Sequence, residues 1–184
     1  QIKAFIKIII ISILILFIYL IIQNKNLSDF SLRSISFNVV SILTGTGYVT
    51  NEFDSLGSFP LIFFLVLMFI GGCAGSTTCG IKIFRIQILY NFLVNQLKKI
   101  IYPRGIFILK YDNNNVDNKF MASIISFIYL YIIIFFSITA LLSLSGLDFI
   151  TSISGAATSI SNVGPGLGSM IGPNSNFSAL PDIS

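Results

Sequence analysis

Three long apolar tracts alternate with shorter polar ones along the chain. Ala4–Ile22 is almost unbroken Ile, Leu and Phe; Phe59–Ile70 opens a second tract that resumes at Ile81–Ile101; Phe120–Leu144 is the third. A helix needs about 20 apolar residues to cross a hydrocarbon core of ~30 Å, so the pattern predicts spanning helices. The second tract is too long to cross once, since a single helix from Phe59 to Ile101 would run about 64 Å at ~1.5 Å per residue. Its break lies at Gly71-Gly72-Cys73-Ala74-Gly75-Ser76-Thr77-Thr78-Cys79-Gly80. Glycines and hydroxyl residues hold a helix poorly. Inside a membrane such a stretch is tolerated only when it is buried in protein or faces a water-filled cavity.

Two polar segments share a second pattern. Ser31–Leu43 runs into Thr44-Gly45-Thr46-Gly47-Tyr48, and Asp148–Ile160 runs into Ser161-Asn162-Val163-Gly164-Pro165-Gly166. Each reads as a short helix entering a glycine-bearing loop, with apolar spans around it. Asp29-Phe30 and Asp148-Phe149 stand near the start of the two units, and Pro60 and Pro181 mark where the following span begins. The order is span, re-entrant hairpin, broken span, linker, span, re-entrant hairpin. It divides the chain into one repeat over residues 1–101, a linker over 102–118 and a second repeat over 119–184 lacking its last span. Gln1 and Ser184 are read as the ends of a fragment of a longer protein.

Composition places this pattern in a membrane. The chain is 54% hydrophobic and 10% charged, with a mean hydropathy of +0.90; a soluble domain carries about 25% charged residues. The fold class expected is an all-α integral membrane protein built of span–pore-helix–span repeats with re-entrant loops. Lys3 and Lys7 at the start of the first tract resemble a signal peptide, but the tract is too long for one and no small-residue cleavage site follows.

Basic residues orient the chain. With a cytoplasmic N-terminus, Lys3, Lys7, Lys82, Arg85, Lys98, Lys99, Arg104, Lys110 and Lys119 fall on or near the inner side, and only Lys25 and Arg33 outside. Both polar hairpins then open on the outer side, together with Asp29, Glu52, Asp54, Asp148 and Asp182. These carboxylates would draw cations to the mouth, within a screening length of about 8 Å.

The glycine-bearing loops suit cation conduction. A filter of the potassium type needs closely spaced backbone carbonyls that replace an ion's water shell. Glycine permits the backbone angles this requires. A short helix aiming its C-terminal end at the site adds roughly −0.5 of an elementary charge. Thr44, Gly45, Thr46 and Gly47, and Ser161, Asn162, Val163 and Gly164, are the candidate donors; ordinary extracellular turns are the competing reading.

The Gly71–Gly80 stretch reads either as a gate with glycine hinges or as a kink that lets helices pack closely. Lys82 and Arg85 read as interface anchors or as charges that set the field near a gate. Gly75–Lys82 resembles a phosphate-binding loop only superficially, because Gly-Lys-Ser/Thr and a preceding strand are missing. Cys73 and Cys79 match no zinc or thioredoxin spacing and read as small packing residues. Asn26-Leu-Ser28 and Asn176-Phe-Ser178 fit the glycosylation pattern but are too short to carry weight. The chain has no histidine and no credible catalytic cluster, which disfavours an enzyme.

These residues resemble a known family. Phe69-Ile-Gly-Gly-Cys-Ala-Gly-Ser-Thr-Thr-Cys-Gly-Ile-Lys-Ile-Phe-Arg85 is similar to the broken third-repeat helix of the Trk/Ktr/HKT superfamily, and of Trk-type potassium uptake subunits in particular. Ser41–Tyr48 resembles its third pore loop and Ser161–Gly168 its fourth. The resemblance implies four repeats around one pore, of which this chain would supply the third and fourth, without the last span and the arginine that family members carry on it. It implies one filter glycine per repeat, here Gly47 and Gly164, with carbonyl donors just before each, and gating by the Gly71–Gly80 loop. It further implies a potassium ion in the filter, a homodimer in a bacterial inner membrane, and a cytosolic nucleotide-binding ring subunit that controls opening. Nucleotide would then bind the partner and not this chain, and no nucleic acid is involved. The expected activity is potassium uptake driven by the ion gradient and membrane potential. A sodium-permeable or mixed cation transporter and a nonconducting membrane subunit are the alternatives. Two pore loops do not enclose a pore unless other segments complete it.

Overall fold

The computed structural model describes residues 1–23, 31–50, 56–112, 114–168 and 170–173. Lys25, Asp29, Glu52, Asp54, Pro181, Asp182 and both glycosylation-type patterns lie outside them. Among the described residues, two helices are long and apolar enough to cross a membrane. They are α1 (Ile2–Ile22, 21 residues) and α5 (Asn118–Leu144, 27 residues), with mean hydropathies of 3.1 and 2.5. Only 17% and 11% of their most apolar windows are buried. Their Ile, Leu and Phe side chains therefore face outward, an arrangement that water would penalise and lipid does not. α5 starts at Asn118, with Asp117 as the residue before its first turn.

The second apolar tract is two helices. α3 covers Ser58–Phe69 and α4 covers Ile83–Ile101. Between them the chain leaves and re-enters through two short strands, β1 (Ile70–Gly71) and β2 (Ile81–Lys82). These pair in parallel, Ile70 with Ile81 and Gly71 with Lys82. The pairing satisfies backbone groups that the broken helix leaves open, as a low-dielectric setting requires. The linker also has structure: β3 (Lys110–Tyr111) and β4 (Asn114–Asn115) form an antiparallel pair. Leu109, Tyr111 and Val116 hold it against Ile88, Met121 and Ile124 of α4 and α5.

Two shorter helices lie inside this frame, α2 (Leu32–Thr44) and α6 (Phe149–Ser161), each of 13 residues. α2 packs on α1 and α3, α3 on α6, and α6 on α5. The main core joins Leu16, Leu20, Ile35, Val39, Phe64, Leu67 and Met68 with Ala157, Val163 and Leu167, so both repeats contribute to one apolar interior.

Candidate ion-conduction site

The two short helices begin and end alike. Ser31 caps α2, its Oγ accepting from the Ser34 N–H at 3.4 Å; Asp148 caps α6, its Oδ2 accepting from the Thr151 N–H at 3.3 Å. A capping oxygen satisfies one of the amides a helix start leaves without a partner. The Thr151 hydroxyl beside it and the N–H groups of the first turn hold the Asp148 carboxyl below its ordinary value. At the other end both helices stop on a left-handed residue, Gly45 at φ +68° and Asn162 at φ +50°. These are the two residue types that tolerate that conformation best. The next backbone amide then turns back onto its own helix, Thr46 N–H to the Ser41 carbonyl at 3.0 Å and Val163 N–H to the Thr158 carbonyl at 3.2 Å.

The loops meet two residues further on. Gly47 has φ +75° and Gly164 φ +111°. A Cβ on Gly47 would lie 2.4 Å from the Val163 carbonyl oxygen, and one on Gly164 would lie 3.3 Å from the Gly47 Cα. Gly45 touches the third predicted segment, since its Cβ would lie 3.0 Å from the Thr78 Cγ2 and 3.7 Å from the Asn162 carbonyl oxygen. The structure thus brings Thr44–Gly47, Ser161–Gly164 and one threonine of the Gly71–Gly80 segment into one locus. The C-terminal ends of α2 and α6 both run into it. Their partial negative charge favours a cation there.

The Gly71–Gly80 segment is a tied loop. Thr78 Oγ1 accepts from the Gly72 N–H at 3.2 Å and shares a 2.6 Å bond with the Ser76 Oγ, which lies 2.7 Å from the Cys73 carbonyl. The Ile83 N–H bonds the Gly72 carbonyl at 3.2 Å. Lys82 donates from Nζ to the Ser76 carbonyl at 2.6 Å. Gly71 and Gly72 are buried, and neither has room for a side chain: a Cβ would meet the Cys79 carbonyl oxygen at 2.5 Å and the Thr78 hydroxyl at 2.4 Å. Ala74, Gly75, Thr77 and Cys79 are exposed. Arg85 does not join the loop; its guanidinium lies over the Phe127 ring of α5, 3.8 Å from its centre, a cation–π contact. Lys82 and Arg85 therefore have different surroundings, although the sequence pairs them.

Several residues at the site carry no motif. Tyr131 of α5 is buried, bonds the Ser161 Oγ at 2.7 Å and packs edge-on against Phe69, the last residue of α3. Asn38, Ser41, Ser154 and Thr158 are buried polar residues on α2 and α6. Their spacing was a legible signal: Ser34, Asn38 and Ser41, and Ser154, Thr158 and Ser161, recur at the intervals that line one helix face. In a chain this apolar, a polar stripe on a short helix marks the face turned inward.

Comparison with known proteins places the chain among relatives of one family. The family described as "TrkH: Cation transport protein" matches residues 3–184. The chain is 42% identical to the Trk system potassium uptake protein TrkI of Halomonas elongata over 83% of this chain and 31% of that protein. It is 33% identical to the Trk system potassium uptake protein TrkG of Escherichia coli over 80% of this chain and 30% of that protein. The crystal structure of the potassium transporter TrkH from Vibrio parahaemolyticus superposes with a TM-score of 0.85 at 29% identity, covering 96% of this chain and 38% of that one. The chain spans about a third of the length of the curated relatives it matches. By the family match over nearly its whole length and the helical membrane fold it shares with a solved transporter, this chain belongs to the TrkH family of cation transport proteins.

Proposed function

We propose that this chain supplies two filter-bearing repeats of a transporter that takes potassium ions into a bacterial cell. The observation that carries the reading is the convergence of the Gly47 and Gly164 loops beside Thr78. Carbonyls of Thr44–Gly47 and Ser161–Gly164 would replace part of the ion's water shell, and further repeats would complete the ring. The dipole ends of α2 and α6 would stabilise the ion electrostatically. The relatives named as potassium uptake proteins support the choice of ion.

The Gly71–Gly80 loop would act as the gate. Its bonds run mostly within itself and to Lys82, with one from the Ala74 N–H to the Gln1 side chain at 2.9 Å, so it can shift without unpacking the core. Its side would be cytoplasmic, as would the N-terminus of this segment, consistent with the bias of basic residues. A homodimer in the inner membrane, opened by a cytosolic nucleotide-binding ring subunit, completes the proposal. In it nucleotide acts on the ring and not on this chain.

The test is uptake of rubidium and sodium by bacteria lacking their own potassium uptake. They would express the gene that encodes this chain in full, with a regulator of the family supplied. Native protein should restore growth at low potassium. Gly47→Ser should lower the rubidium-to-sodium ratio by about tenfold or more, because its side chain would crowd the Val163 carbonyl oxygen at 2.4 Å and displace carbonyls from the geometry that discriminates between the ions. Absence of rescue by membrane-inserted native protein would sink the potassium reading and favour the sodium-permeable or nonconducting alternatives.

A further inference from the structure

Each pore helix grips its own loop at two points, and the grip recurs in the same register in both repeats. The first point lies before the glycine. Ser41 of α2 accepts the Thr46 N–H on its carbonyl at 3.0 Å and lies 3.1 Å from the Thr46 Oγ1; Thr158 of α6 accepts the Val163 N–H on its carbonyl at 3.2 Å and the Gly164 N–H on its Oγ1 at 3.0 Å. The second point lies three residues after the glycine. Asn38 Oδ1 accepts the Thr50 N–H at 3.1 Å and the Thr50 hydroxyl at 3.2 Å. Ser154 Oγ accepts the Leu167 N–H at 3.0 Å and also lies 3.0 Å from the Leu167 carbonyl.

Asn38 and Ser154 are 3% and 0% exposed. They are different residue types, one helix position apart when α2 is laid on α6 from their caps. They nevertheless meet the same backbone amide, three residues beyond Gly47 in one repeat and beyond Gly164 in the other. Helix stability does not ask for a buried amide or hydroxyl there, and both residue types are poor in helix interiors. A buried polar group is costly unless it is bonded, and here the bond goes to the loop.

We infer that Asn38 and Ser154 are positioning residues that hold the far end of each filter loop, so that its carbonyls keep the spacing that separates potassium from sodium. This rests on the potassium-uptake reading above. Neither side chain touches the ion. Each acts through the strand of backbone that leaves the loop, with Ser41 and Thr158 fixing the end that enters it. A loop held at both ends resists the collapse that would fit a smaller ion.

The experiment uses the full gene in cells lacking potassium uptake, with rubidium and sodium influx measured per amount of membrane-inserted protein. Asn38→Ala and Ser154→Ala should each lower the rubidium-to-sodium ratio several-fold, mainly by admitting more sodium. Asn38→Asp keeps an oxygen facing Thr50 and should hold the ratio within about two-fold of native, since burial favours the neutral carboxyl, whose carbonyl oxygen accepts the Thr50 N–H as the amide oxygen does. If Asn38→Ala does not reach the membrane, Ser154→Ala and Asn38→Asp carry the comparison. Alanine variants that keep the native ratio overturn the inference, and so does an equal fall in influx of both ions. Failure of the native protein itself to take up rubidium is a separate result, which removes the potassium reading and this inference with it.

Discussion

A side chain at Gly47 would drive its Cβ to 2.4 Å from the Val163 carbonyl oxygen, whereas one at Gly75 would meet nothing within 4 Å. Both glycines have positive φ, +75° and +85°, so alanine strains either backbone by about 1 kcal/mol. Only at Gly47 must a neighbouring carbonyl move as well. Gly75→Ala should therefore leave the rubidium-to-sodium ratio at its native value, while Gly47→Ala lowers it, in the same influx assay. Lys82 makes a different kind of contribution. Its 2.6 Å bond to the Ser76 carbonyl ties the loop to the start of α4, and a charge-assisted bond of this kind contributes about 1.5–3 kcal/mol. Lys82→Met should loosen the loop. The expected outcome is a raised rubidium leak of about tenfold when the regulator is absent, since 1.4 kcal/mol corresponds to a tenfold population shift. An unchanged leak would remove Lys82 from the gating scheme.

At the level of elements, the two short helices α2 and α6 are built to stop. Each is 13 residues long, capped by a side chain at its start and ended by a left-handed residue. Asp148 at the start of α6 links this to pH. Its carboxyl sits below the ordinary value of 3.8 because the Thr151 hydroxyl and the first-turn amides favour the charged form. A depressed pKa stabilises the folded state above the unfolded value, and that contribution fades as pH falls through the lowered folded value. Solubilised protein should thus show the Asp148 contribution in full at pH 6 and above and lose it in acid below about pH 4. Asp148→Ala should lower the melting temperature at neutral pH, by the ~1 kcal/mol typical of a lost N-cap. The difference from native should close in acid. A difference that persists unchanged into acid would assign the effect to something other than the charged cap. The β1–β2 pair is the other decisive element: it closes the Gly71–Gly80 loop at its base, so a break in a helix becomes a discrete unit.

On the scale of the whole molecule, the two repeats are not independent. Phe64 of α3 is 1% exposed in a core that continues through Leu67 and Met68 to Ala157 and Val163 of the second repeat. Phe64→Ala should cost about 3–5 kcal/mol, as large cavities in packed interiors do. It should disturb both loops together, read as a fall in melting temperature with loss of rubidium selectivity. A variant that loses stability but keeps full selectivity would show that the filter loops are held by their own helices alone. That outcome would leave the grips at Asn38 and Ser154 as the sole source of loop geometry, whereas the expected one shows that the core holds the helices from which those grips act.

Much of this was written in the order of residues. The apolar tracts, the glycine-rich break and the two polar segments before Gly47 and Gly164 follow from hydropathy, helix length and the scarcity of charge. They are enough to place the chain in a membrane. Hydroxyl and amide residues at helical spacing also mark the buried face of α2 and of α6, a signal recognised only once the structure showed which residues are buried. What the tertiary structure alone decided is which groups touch. Gly47 meets Val163 across 116 residues of chain. Thr78 lies against Gly45, Lys82 turns to the loop while Arg85 turns to Phe127, and Tyr131 reaches Ser161. The two parallel strands at the base of the loop were equally invisible, since two residues carry no periodicity. The physical reason is common to all of these. Local pattern determines which face of a helix avoids lipid, but a hydrogen bond or a close approach between distant segments depends on how whole helices pack, and that is set only when all of them are assembled.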